Sequence, residues 1–151
     1  MGAGASATQM VFFIASVIIA LSVVGAIFMN VQSLSSAVII GSKTLSEQLK
    51  TDITVINDPE IIPNSNGIYY TFYVKNTGVQ ELGTKYMTVI IDGTIISENN
   101  LNKTILEEDG QTWLTGDVLM INATVSLAAG NHNLRVIASN GIEDSFPFRT
   151  T

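Results

Sequence analysis

The chain has 151 residues, enough for one domain, and 13 acidic against 7 basic side chains give it a formal charge of −6. Every one of those charges lies at or after Lys43, so the first 42 residues carry no ionisable side chain and a uniformly soluble globule is excluded. No cysteine is present, which removes disulfides, thiolate zinc sites and a cysteine nucleophile, and an acidic C-terminal part with five scattered bases offers no footprint for nucleic acid.

Residues 1–9 form a short N-terminal segment in which Gly2-Ala-Gly4 reads as a flexible start rather than a phosphate loop. From Met10 to Met29 the run Met-Val-Phe-Phe-Ile-Ala-Ser-Val-Ile-Ile-Ala-Leu-Ser-Val-Val-Gly-Ala-Ile-Phe-Met has only serine hydroxyls for polarity. A bilayer core of about 30 Å takes roughly 20 such residues as helix, and apolar residues all round the helix exclude a one-faced core helix. A cleaved signal peptide is the competing reading. It is disfavoured because residues 1–9 contain no base, the apolar run exceeds an h-region of about 7–15 residues, and apolar patterning continues beyond it. Residues 10–29 are therefore predicted to be a retained transmembrane helix. Ala15, Ser16, Ala20 and Gly25 permit close helix contact, without a GxxxG pair.

Residues 30–51 are predicted to extend that helix as an amphipathic stalk. Val31, Leu34, Val38, Leu45 and Leu49 recur at gaps of 3, 4, 7 and 4, an a/d seam whose missing slot falls at Gly41 and Ser42. No proline interrupts residues 1–58. One helix from about Gln9 to Lys50 would be roughly 60 Å long. Such a stripe is satisfied by a second copy, a partner helix or the chain's own C-terminal domain, which makes these five residues the candidate interface.

After Asp52 the period changes to alternation. Strands are expected at Asp52–Asn57, from Ile68 to Lys75 with Ile68, Tyr70, Phe72 and Val74 on one face, around Met87, Val89 and Ile91, and at Ile95 and Ile96 after the Asp92-Gly93 hairpin signal. A loop holding Asn102 follows, then Thr104–Leu106 and an acidic turn at Glu107, Glu108 and Asp109. The clearest alternation puts Leu119, Ile121, Ala123, Val125 and Leu127 inward. His132–Ser139 with Leu134, Val136 and Ala138 inward, the Asn140-Gly141 turn and Ile142–Phe148 complete the chain. Seven or so short strands at spacings of about 8–12 residues predict a β-sandwich over residues 52–151.

Little chemistry is encoded. His132 is the single histidine and reads as a surface turn residue, so any triad would have to be built on it. Glu107, Glu108 and Asp109 ahead of Gly110 match no EF-hand spacing and read as a solvated turn. No GxSxG, Walker or GxGxxG motif occurs, and no catalytic residue, cofactor or metal is expected. Two Asn-x-Thr sequons, at Asn102 and Asn122, equal the number that composition alone predicts; they become glycosylation candidates if the domain is extracytoplasmic. The outward aromatics Tyr69 and Tyr73 are candidates for a contact surface. Lys43 and Lys50 are too distant from Met29 for a firm positive-inside assignment, and taken literally lean towards a cytoplasmic domain.

Gln9-Met-Val-Phe-Phe-Ile-Ala-Ser-Val-Ile-Ile-Ala, Leu45-Ser-Glu-Gln-Leu-Lys-Thr-Asp52, Ile56-Asn-Asp-Pro59, Phe72-Tyr-Val-Lys-Asn-Thr-Gly78 and Ile91-Asp-Gly93 together resemble the archaeal flagellar protein G family (FlaG, also called ArlG), and the sister FlaF family less well. The resemblance implies an accessory structural protein of the archaellum motor, with an archaellin-like membrane helix and an immunoglobulin-like β-sandwich in the pseudo-periplasm. It also implies a static complex with a FlaF-like partner that links the motor to the S-layer. Archaellin-type processing uses a base before the cleavage point; its absence from residues 1–9 implies an uncleaved single-pass anchor. The alternative is a pilin- or archaellin-like filament subunit that buries Val11–Phe28 in a fibre core. A membrane-anchored binding or carbohydrate-active domain is disfavoured because no paired acids form a recognisable site.

Overall fold

The computed structural model describes residues 2–106, 110 and 112–151. The acidic turn Glu107, Glu108 and Asp109 lies outside the described residues. The chain divides into two compact units, one ending at Lys43 and one spanning Thr44–Thr151.

The first unit is helix. α1 runs Gly2–Lys50 without interruption and has no buried residue, so the start predicted to be flexible is helical from Gly2 onward. It is long and apolar enough to cross a membrane. Both serines of residues 10–29 bond within the helix: Ser16 donates to the Phe13 carbonyl and Ser22 to that of Ile18, both at 2.8 Å. Such back-bonding is what a serine needs where no water is available.

The second unit closes with an antiparallel β-sandwich. Its strands are β1 Ile53–Val55, β2 Tyr70–Asn76, β3 Leu82–Gly83, β4 Thr88–Ile91, β5 Thr94–Ile95, β6 Leu101–Ile105, β7 Thr112–Trp113, β8 Val118–Ala123, β9 Gly130–Ile137 and β10 Glu143–Thr150. One sheet has the order β1-β2-β8-β6, the other β10-β9-β4-β5, and β3 pairs with β7 in a two-stranded ribbon. In immunoglobulin terms these orders are A-B-E-D and G-F-C-C′, so the fold is the immunoglobulin-like sandwich. Phe72, Val74, Leu119 and Ile121 from the first sheet meet Val89, Leu134, Val136 and Phe148 from the second in one core. Phe72 and Phe148 meet edge to face, with ring centroids 5.3 Å apart.

Local chemistry sets the turns. Asp92 and Gly93 both take positive φ, 50° and 80°, which is the type I′ geometry that joins β4 to β5. Pro147 is tolerated because β10 is an edge strand. Asp144 accepts a hydrogen bond from the Val55 amide at 2.8 Å, stitching the β1 edge of one sheet to the β10 edge of the other.

Several sequence expectations shift. Ile68 lies outside β2 and is exposed, since the turn around Asn66 and Gly67, both at positive φ, delays the strand. Asn102 is in β6 rather than a loop, because β6 begins at Leu101. β8 ends at Ala123, leaving Val125 and Leu127 packed only at the core margin. The ribbon of β3 and β7 has two residues per strand, too few to show alternation.

Candidate functional site: the wired helix end and the apolar helix surface

The last turn of α1 ends inside a dense set of backbone hydrogen bonds. A helix leaves its final carbonyls without intrahelical partners. Here Thr51 supplies two: its amide donates to the Gln48 carbonyl at 3.1 Å and its hydroxyl to that of Glu47 at 2.8 Å. The Lys50 carbonyl accepts from the amides of Val79 at 2.8 Å and Gln80 at 3.2 Å. The Asp52 carbonyl accepts from Thr77 and Gly78, and the Thr77 hydroxyl donates to the Asp52 carboxylate at 2.7 Å. On another side Gln48 Nε2 donates to the Asn140 carbonyl, and Asn140 Nδ2 to the Thr51 hydroxyl at 2.6 Å.

Asn76 holds this loop from beneath. It is fully buried. Its Nδ2 donates to the carbonyls of Gln80 at 2.9 Å and Trp113 at 3.1 Å, while Oδ1 accepts from the Gly78 amide. Its backbone is equally committed, the amide to the Asp117 carbonyl and the carbonyl to the Gly116 amide. Asn76-Thr77-Gly78 therefore ties β2, the helix end, the β7 ribbon and the 114–117 turn into one unit. Alternation identifies Val74 as core but is silent on Asn76, a buried polar residue at a strand end. Only its place in Asn-Thr-Gly marks it.

The five seam residues behave differently. Val31, Leu34, Val38, Leu45 and Leu49 are 58, 65, 59, 56 and 79 % exposed. At 100° per residue they fall within an arc of about 60°. Ile39 and Ile40, outside the seam, are exposed apolar residues too.

Among the described residues the sandwich surface presents no assembled catalytic group. His132 is the second notable departure from expectation, since its side chain is only 10 % exposed and is clamped rather than free in a turn. Nδ1 lies 2.6 Å from Asp92 Oδ2, and Nε2 lies 2.8 Å from the Ala128 carbonyl and 3.1 Å from Thr150 Oγ1. The order Asp92, His132, Thr150 imitates a triad, but the Thr150 hydroxyl donates to the Ala128 carbonyl at 2.6 Å and the residue is buried, so it is not offered to a substrate. Asp92 Oδ1 accepts from the Asn133 amide. The Asp92 hydrogen bond holds the His132 pKa above its ordinary 6.5, and the same bond holds Asp92 below 3.8. A raised histidine pKa gives stability that is full below the ordinary value and lost as pH rises through the folded one; the lowered carboxylate gives stability lost as pH falls through its folded value. The denaturation midpoint, read by the fluorescence of Trp113, should thus fall as pH rises from 6.5 through the raised His132 value, and again on acidification below 3.8. His132→Gln should flatten the alkaline limb; an unchanged limb would remove His132 from the balance.

Among the described residues no group of three or more histidines or acids is placed to hold a metal. Tyr69 and Tyr73 are half-buried, and the Tyr73 amide donates to Asn57 Oδ1 at 2.6 Å, so that stretch is packed. Tyr86, which strand alternation passes over, is an exposed aromatic at 73 %, with Lys85 Nζ 5.5 Å from its ring centroid.

The family model for archaeal-type flagellin matches residues 2–148. A protein described as flagella-related protein G from Methanocaldococcus jannaschii is 32 % identical over 146 residues, covering 93 % of this chain and 92 % of that one. A protein of the same description from Methanococcus voltae is 26 % identical over 143 residues, covering 92 % and 93 %. The archaellum periplasmic stator protein FlaG from Sulfolobus acidocaldarius aligns in structure over 65 % of this chain and 99 % of its own, with a TM-score of 0.47 and 16 % identity. The FlaF and FlaG complex from the same organism aligns over 62 % of this chain and 90 % of that one, with a TM-score of 0.44 and 16 % identity.

Proposed function

The chain belongs to the archaeal-type flagellin family, among relatives described as flagella-related protein G, and from that membership we propose that it is a stationary structural part of the archaellum motor rather than an enzyme. In this reading residues 10–29 anchor it in the cell membrane by a single pass. Residues 30–51 form the stalk, and residues 52–151 stand in the pseudo-periplasm, where a FlaF-like partner and the S-layer are within reach. The observation that carries the reading is the wiring of the last helical turn. A stator must pass torque from its anchor to its outer domain. A helix end whose carbonyls are held by Thr51, Val79 and Gln80 resists being pulled from the sandwich, where a free linker would yield.

The seam supplies the assembly. Val31, Leu34, Val38, Leu45 and Leu49 on a narrow arc suit a parallel contact with a second copy or with a partner's helix. The cysteine-free sequence makes this directly testable. Single cysteines replacing Val38 or Leu45 should cross-link in native membranes, while Ser36→Cys, on the opposite side of the helix, should not. Adding Leu49→Asp should lower the cross-linking yield several-fold. It should leave the sandwich's stability within about 0.5 kcal/mol, since Leu49 is 79 % exposed. Equal cross-linking at Ser36 and Val38 would sink the seam.

The filament-subunit reading is separated by the same membranes. Membrane-retained oligomers of small size support the anchor, whereas recovery of the chain in sheared extracellular filaments, with Val11–Phe28 protected, supports the fibre.

A further inference from the structure

We propose that Asn102 carries an N-linked glycan and that Asn122, although it also heads an Asn-x-Thr sequon, does not. The proposal rests on the reading that the sandwich lies outside the membrane. Sequence alone treats the two sites as equivalent; the fold makes them neighbours with different freedom. Register places Asn102 directly opposite Asn122, and Asn122 directly opposite Thr71, in a polar row across β6, β8 and β2. Directly opposed side chains have Cβ atoms about 4.5–5.5 Å apart. That spacing leaves room for one sugar at the pair and not for two.

The row is not symmetric. β8 is an interior strand, and Asn122 is half-buried there, its Oδ1 accepting from the Thr71 hydroxyl at 2.8 Å. Thr71 is itself buried, its backbone held by Pro63 and Asn57. Seating a saccharide on Asn122 would crowd that bonded pair. Asn102 instead lies on β6, the terminal strand of its sheet, with both Asn102 and Thr104 exposed. Lys103, the residue between them, is drawn away to Glu98 at 2.8 Å, so its long side chain does not cover the sequon. Beside Asn102 lies a shallow hollow of about 270 Å³ lined by Tyr69, Asn99, Asn100, Asn122 and Thr124, which offers a first sugar an aromatic wall and several amide partners.

The consequence is protective. β1 and β10 are stitched together through Asp144, whereas β6 pairs with β8 alone and is an edge that another strand could extend. A glycan on Asn102 projects from that edge and blocks strand addition there, which directs assembly away from β6.

The test uses the full chain, isolated from membranes of an archaeal host whose own S-layer is N-glycosylated. Glycopeptide mass spectrometry should find saccharide mass on the Asn102 peptide and none on the Asn122 peptide. Asn102→Gln and, independently, Thr104→Ala should speed gel migration by one glycan, while Asn122→Gln leaves it unchanged. Protease added to cells stripped of their S-layer reports the side of the membrane. A domain that is cut while Asn102 is unmodified overturns the glycan and leaves the location intact. A domain that is protected overturns both, and saccharide on Asn122 overturns the choice of site.

Discussion

Gly78→Ala should cost about 2–4 kcal/mol of domain stability and release the helix end, although it adds a single methyl group. A Cβ at Gly78 would stand 2.4 Å from the Asp52 amide nitrogen, 2.6 Å from the Lys50 carbonyl oxygen and 3.0 Å from the Thr51 carbonyl carbon. All three are backbone atoms, so no flexible side chain can step aside. Relief requires the 76–80 loop to withdraw, and that motion breaks the bonds from Thr77 and Gly78 to Asp52 and from Val79 and Gln80 to Lys50. It also removes the Gly78 amide from Asn76 Oδ1 and leaves a buried carboxamide oxygen short of a donor. Gly83→Ala is the control, because a Cβ there meets nothing within 4 Å. Denaturation of the full chain in detergent, with hydrogen exchange at Val79 and Gln80, measures both parts. Normal stability with slow exchange at those two amides would show that the loop absorbs the methyl and that the close approach is not needed. If torque passes through this connection, Gly78→Ala also abolishes swimming while the membrane still contains the protein.

The helix and most of the sandwich were legible in the sequence because each rests on a period. Uniform apolarity over Met10–Met29, and strict alternation at Leu119, Ile121 and Ala123 or at Leu134 and Val136, leave one physical outcome each. The Asp92-Gly93 turn was equally legible, since two adjacent positive-φ positions call for that pair of residues. What escaped is non-periodic. Asn76, His132 and Trp113 take their roles mostly from partners far along the chain, such as Trp113 for Asn76 and Asp92 for His132, and neither alternation nor helical spacing encodes such pairings. The same limit explains Asn102: a strand of five residues with a half-exposed pattern looks like a loop until its pairing with β8 is known. For the candidate site, the exposure of Val31, Leu34, Val38, Leu45 and Leu49 on one arc agrees with their spacing, and their role as an interface is a proposal. The wiring of the helix end was not legible, because it combines main-chain bonds that any sequence carries with side-chain bonds, such as those of Gln48 and Thr51 with Asn140, between residues far apart in the chain.

Trp113→Ala should be the most damaging single change in the sandwich, at about 3–5 kcal/mol. Trp113 is the largest of the fully buried side chains, in a strand of only two residues, with Leu82 as its cross-strand partner. Truncation opens a cavity that a two-residue ribbon cannot collapse to fill without losing its pairing. It also removes the Nε1 donor from the Asp117 carbonyl, 2.9 Å away. Trp113→Phe keeps most of the volume, and the Asp117 carbonyl still accepts from the Asn76 amide, so about 1–2 kcal/mol is expected. A domain of ordinary stability, about 5–15 kcal/mol, survives the phenylalanine variant and becomes marginal with alanine. Because tryptophan fluorescence is lost, near-ultraviolet circular dichroism of the tyrosines is the measurement. The sharper test is coupling: the Trp113 carbonyl accepts from Asn76 Nδ2, and Asn76 Oδ1 accepts from Gly78, so both variants loosen the same carboxamide. Gly78→Ala combined with Trp113→Ala should therefore cost less than the sum of the two alone, by at least about 0.5 kcal/mol. Strict additivity would mean that Asn76 does not join the ribbon to the helix end, which would then be held to the sandwich through Gln48, Thr51 and Asn140 instead.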